Sequence, residues 1–178
     1  MSGKSSELLR RIRRAAYAQR AVQVFTSSLD TRYHGPRAIS THAGDAIAGA
    51  IPVRCASEIL PALRPDVDLV AIDEVQFLDA SVVAVCLELA RRGLQVVVAG
   101  LSTDFRGQPF GPMPELLAVA DEIQLLKAVC IQCGEDATRS QRLVDGAPAP
   151  ATASLVEIGG AECYEARCRD CHAVPGLA

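Results

Sequence analysis

Two stretches of the chain are almost continuously apolar, residues 67–72 (VDLVAI) and 94–99 (LQVVVA). A shorter one spans residues 22–25 (VQVF), and residues 50–53 read as another strand. Apolar runs without strict alternation are the mark of strands buried on both faces, as in a parallel sheet. Between the two long runs, residues 80–92 read as a helix stopped by Gly93. Strand, helix and strand in that order predict a right-handed crossover. Residues 5–20 predict a helix from Leu8, Leu9, Ile12 and Ala16, with Arg10, Arg11, Arg13 and Arg14 mostly on the solvated side. A polar loop over 29–44 and a Gly/Pro-rich loop over 100–114 separate these elements. A helix near 115–120 and a strand near 123–129 are expected to close an α/β domain.

Residues 130–171 differ in kind. Two C-x-x-C pairs bracket a strand-like piece and the stretch 145–154 (DGAPAPATAS), which has the composition of a flexible loop. The 178 residues therefore divide into an α/β domain over 1–128 and a small lobe over 129–178. The net charge of −3 gives no sign of a nucleic-acid partner. No apolar run approaches the roughly 18 residues of a membrane span, and no secretory signal stands out. The reading is a soluble cytoplasmic protein, with no nucleic-acid or membrane partner.

Three constellations carry chemistry. Gly3-Lys4-Ser5 is the second half of the phosphate-loop pattern G-x-x-x-x-G-K-[ST]. Backbone N–H groups at a helix start hold anions, the lysine reaches the outer phosphates, and the hydroxyl ligates Mg²⁺. The first glycine of the pattern falls upstream of Met1, so the natural reading frame is expected to start earlier. Asp73-Glu74 ends a buried strand, where open α/β sheets bind ligands. One carboxylate there can serve Mg²⁺ and its neighbour can accept a proton from an attacking hydroxyl. Cys130, Cys133, Cys168 and Cys171 have the pairing of a closed tetrahedral Zn²⁺ site, which is structural and not catalytic. His172 stands next to Cys171 as an alternative fourth ligand. Cys55 and Cys86 read as buried thiols, Cys163 has no assigned role, and His34 and His42 read as ordinary loop residues.

With these parts in order, the chain resembles the zinc-containing thymidine kinases over essentially its whole length. The resemblance rests on SGKSSELLRRIRR, LDTRYHG, AIDEVQFLD, GLSTDFRGQPFGPMPEL, KAVCIQCG and IGGAECYEARCRDCH. It implies a RecA-like fold with a zinc-held lobe, a homotetramer, and transfer of the ATP γ-phosphoryl to the 5′-hydroxyl of thymidine or deoxyuridine with Mg²⁺. By the same resemblance Ser2, Gly3, Lys4 and Ser5 hold ATP phosphates, and Asp73, Glu74, Val75 and Gln76 border the ATP site. Ser5 and Asp73 serve Mg²⁺, and Glu74 is the catalytic base. Phe105 lies against the thymine ring, and Phe77 lies in the same pocket. Leu155, Val156, Glu157, Ile158 and Gly159 form a lasso that reads the base through its main chain, and Tyr164 closes over the nucleoside. Asp30 and Arg32 fall in a lid. The alternative reading is a non-catalytic protein that binds nucleotide or interacts through its zinc lobe.

Overall fold

The computed structural model describes residues 2–29, 38–40, 46–155 and 164–177, with backbone alone for 38–40 and 46–48. Asp30, Arg32, His34, His42, Cys163 and the lasso positions Val156 to Gly159 lie outside the described residues. Contacts divide the chain into two compact units, one of Lys4–Leu101 and Gly111–Asp121, the other of Met1–Gly3, Ser102–Phe110 and Glu122–Ala178.

The first unit is built on a four-stranded parallel sheet. Its strands are β1 (Val22–Ser27), β4 (Ile51–Val53), β5 (Leu69–Asp73) and β6 (Gln95–Val98), in the order β4-β1-β5-β6. All three neighbouring pairs are parallel. The period of two sorts each strand between two cores. Val24, Leu69 and Ala71, with the half-buried Val97, pack on one face against Leu8, Leu9, Ile12 and Ala15 of α1 (Lys4–Tyr17). Phe25, Val70 and Ile72, with Val96 and Val98, pack on the other against Val82, Val85, Cys86 and Leu89 of α2 (Ser81–Arg91) and Met113 and Leu116 of α3 (Met113–Val119). Burying each large side chain contributes about 2 kcal/mol, so the predicted layering rests on alternation within runs that read as uniformly apolar.

Ala15, not the expected Ala16, completes the buried stripe of α1. On the opposite side Arg10 and Arg11 bond Glu7 at 2.6 and 2.9 Å. The Arg10 hydrogen bond, aided by Arg11, outweighs partial burial and lowers the Glu7 carboxyl to about 2. The polar loop expected over 29–44 contains β2 (Ala38–Ser40), which pairs antiparallel with β3 (Ala46–Ala48). No helix among the described residues is long and apolar enough to cross a membrane.

The second unit is antiparallel. β7 (Ala128–Val129) pairs with β8 (Asp136–Ala137), and β9 (Arg139–Val144) lies between β10 (Ala147–Pro148) and β11 (Tyr164–Arg167). The strand expected over 123–129 shrinks to its last two residues. Ile123 and Leu125 are exposed. The presumed flexible stretch 145–154 starts instead with a tight hairpin. Asp145 and Gly146 take φ 52° and 78°, the left-handed pair that a two-residue turn requires, and Val144 pairs with Ala147.

Candidate functional site

Lys4 and Ser5 open α1, half-buried, with Gly3 exposed before them. The first turn of a 14-residue helix is thus where its N–H groups lack intrahelical partners. Ser2 is half-buried beside them.

Asp73 is the last residue of β5 and is 4 % exposed. Its Oδ1 accepts the Glu74 N–H at 3.0 Å. Glu74 then breaks the strand with φ 51° and ψ 39°, left-handed backbone that a non-glycine residue adopts at a cost. A 3₁₀ turn, Val75–Phe77, follows at once, with Val75 N–H bonded to the Ala99 carbonyl at 3.1 Å. The kink turns the Glu74 carboxylate out of the strand's alternation and keeps it 9 % exposed, beside the amide of Gln76 at 2.5 Å. Two adjacent buried carboxylates are held in different ways, one on the backbone and one on a side-chain amide. That arrangement can take a cation and a proton respectively. Phe77 is half-buried at the end of the turn.

In the second unit Phe105 sits on a loop pinned by one buried carboxylate. Asp104 accepts the backbone N–H of Arg106 at 2.8 Å and of Gln108 at 3.0 Å, and pairs with the Arg106 guanidinium at 2.7 Å. The Phe105 carbonyl meets His172 Nε2 at 2.8 Å. Its ring is 3 % exposed, with the Arg142 and Arg106 guanidinium carbons 5.5 and 5.6 Å from its centroid. Tyr164 pairs directly across from Arg142 between β11 and β9, so the two side chains share a face. Arg142 also donates to the carbonyl of Ser154, immediately before the exposed Leu155. Arg142 thus gathers Phe105, Tyr164 and the start of the 155–159 segment. Sequence reasoning passed over it, because RSQRLV reads as a charged strand and only the β9–β11 register shows the connection.

Replacing Arg142 by Met keeps its length and loses a cation–π contact and a charge-assisted hydrogen bond, each about 1 kcal/mol. Arg142→Met is expected to raise the thymidine KM roughly 30-fold and leave the ATP KM unchanged in steady-state assays. A rise confined to ATP would remove Arg142 from the nucleoside side.

The four cysteines converge. Sγ atoms of Cys130, Cys133, Cys168 and Cys171 all lie within 4.8 Å of one another, and Cys133 and Cys168 are 3.6 Å apart. A tetrahedron of Zn–S bonds near 2.3 Å has edges of about 3.8 Å, so the donors fit zinc. Cys171 completes the set, and His172, the alternative ligand, is engaged at the Phe105 carbonyl instead. Burial pushes the Cys130 thiol up, but N–H groups of Cys168, Cys133 and Gln132 outweigh it and bring it down to about 6. Hydrogen bonds donated by the Cys171 thiol to the sulfurs of Cys168 and Cys133, with burial, push Cys171 up to about 12. The Cys130 thiolate forms readily and the Cys133 and Cys171 thiols resist following, which is how a cluster behaves that needs a cation to ionise fully. Of the other thiols, Cys86 is buried, and burial pushes its pKa up to about 11. Cys55, expected to be buried, is only half-buried and lies 3.1 Å from Ser57 Oγ.

A family model described as thymidine kinase matches residues 1–172 of the chain.

Proposed function

This chain belongs to the thymidine kinase family and is a phosphotransferase, and from that premise we propose that it moves the γ-phosphoryl of ATP to the 5′-hydroxyl of thymidine or deoxyuridine. The observation that carries the proposal is the buried Asp73–Glu74 pair at the carboxyl end of β5, with Glu74 held in left-handed backbone. Phosphoryl transfer passes through a loose transition state and asks for alignment and charge stabilisation more than covalent help. Ser2, Gly3, Lys4 and Ser5 supply N–H groups and an ammonium for the phosphates, and Val75 and Gln76 border them through their main chain. Mg²⁺, when held by Ser5 and Asp73, neutralises charge on the phosphates. Glu74 accepts the proton of the 5′-hydroxyl as that oxygen attacks phosphorus.

Phe77, Phe105, Tyr164 and the main chain from Leu155 to Gly159 are proposed to hold the base. An aromatic wall combined with main-chain donors and acceptors suits a flat, polar-edged ring. The zinc is structural. The protein is proposed to act as a cytoplasmic homotetramer in the supply of DNA precursors.

The test is turnover with ATP and Mg²⁺ across a panel of nucleosides. Thymidine and deoxyuridine are expected to be phosphorylated, and purine nucleosides and deoxycytidine not. Calorimetric binding of thymidine without any turnover would favour the non-catalytic reading.

A further inference from the structure

Gln76 is 2 % exposed, and both ends of its amide are used within its own unit. The Leu101 N–H can only donate, so the atom facing it at 3.1 Å is the amide oxygen. The NH₂ group is thereby directed at Glu74 Oε2, 2.5 Å away. One side chain thus ties the carboxylate after β5 to the segment after β6.

Space around Gln76 is closed by two glycines. A Cβ at Gly100 would stand 2.7 Å from Gln76 Oε1 and 2.9 Å from Met113 Sδ. At Gly111, where φ is +50°, a Cβ would overlap the Gln76 carbonyl. Side chain and backbone of Gln76 are confined by positions that leave no room for another residue. Left-handed backbone at a non-glycine residue such as Glu74 persists where its surroundings over-determine it, and this bracket is part of those surroundings.

We infer that Gln76 is a positioning residue that sets the orientation of the Glu74 carboxylate for proton transfer, and that its side chain does not serve ATP. The inference rests on the reading of Glu74 as the base. A glutamate has three side-chain torsions, and a carboxylate free to turn spends little time aimed at the hydroxyl. Holding one oxygen on Gln76 restricts that motion before substrate arrives, so the benefit falls on kcat and not on binding.

Two variants test it. Gln76→Glu still accepts the Leu101 N–H and, when ionised, cannot donate to Glu74. Gly100→Ala keeps the Gln76 residue and presses a methyl group on its amide oxygen, so that the amide must shift. Each is made alone and in a Glu74→Gln background, with melting temperature checked alongside. Each alone is expected to lower kcat roughly 10- to 100-fold, with the KM for thymidine and for ATP held within about threefold. In the Glu74→Gln background neither is expected to lower kcat further, since the group being positioned has gone. A merely structural role would subtract equally in both backgrounds. Undiminished kcat in Gly100→Ala, equal losses in both backgrounds, or a loss confined to the ATP KM each overturns the inference, and Gly100→Ala decides alone if Gln76→Glu fails to fold. Unchanged kcat in Glu74→Gln by itself is a different result, which overturns the reading of the base.

Discussion

Glu74→Gln is expected to lower kcat roughly 10³-fold while leaving the KM for thymidine and for ATP within about threefold. A positioned general base contributes about 10²- to 10⁴-fold, equivalent to roughly 3–5 kcal/mol of barrier. The substitution isolates that contribution because glutamine has the size of glutamate and its oxygen can still accept from Gln76 Nε2, now 2.5 Å from the carboxylate. The kink after β5 and the packing of Val75, 0 % exposed, have no reason to change. A different division of labour gives a different pattern. If Glu74 served Mg²⁺ together with Asp73, its loss would raise the ATP KM as well. If Glu74 only filled space, neither constant would move. Steady-state kinetics with both substrates varied separates the three outcomes, provided the melting temperature matches that of the unaltered protein.

The second large effect is expected from the cysteine cluster. Its apolar surroundings among the described residues are Ala128, Ala137 and Ala166, with the cysteines themselves and no larger aliphatic or aromatic side chain. Such a core buries too little to offset the entropy of ordering its own loops. Metal binding must then supply the folding free energy, and structural zinc provides on the order of 10 kcal/mol. Removing the metal with a strong chelator, or replacing Cys168 by Ser, is expected to strip amide-exchange protection from β7, β8 and β11. The strands of the parallel sheet, β1, β5 and β6, should keep theirs, since their cores lie on α1, α2 and α3. Loss should extend to Phe105, whose carbonyl is bonded to His172 next to Cys171, and the thymidine KM should rise by at least tenfold. Unchanged exchange in β7 and β11 after verified metal loss would show that the unit holds itself together.

The parallel sheet was legible because its strands are apolar on both faces and broken by a helix of clear period. The acidic pair and the two cysteine pairs were legible because their chemistry depends on short spacing. What failed depended on partners distant in the chain. Ile123 and Leu125 have the composition of a strand, but nothing local says whether a neighbour exists to pair with them. The hairpin at Asp145-Gly146 was recoverable in principle from the D-G dipeptide, and the Ala/Pro-rich residues after it concealed it. Met113 starts α3 earlier than expected, because Pro114 in a first turn loses no intrahelical hydrogen bond. Arg142 and Gln76 went unread as organising residues for a common reason. Each acts by linking segments, Arg142 to Phe105 and Ser154, Gln76 to Glu74 and Leu101. A linear pattern records the side chain and not what it reaches.

The central claim is that this chain transfers a phosphoryl group to thymidine, and label transfer tests it most directly. The protein is incubated with Mg²⁺, thymidine and ATP labelled in its γ-phosphoryl, and the products are separated. The account predicts label in thymidine 5′-monophosphate, dependent on thymidine and nearly absent with Glu74→Gln. Label appearing as inorganic phosphate at a rate indifferent to thymidine, or remaining in ATP, would contradict it.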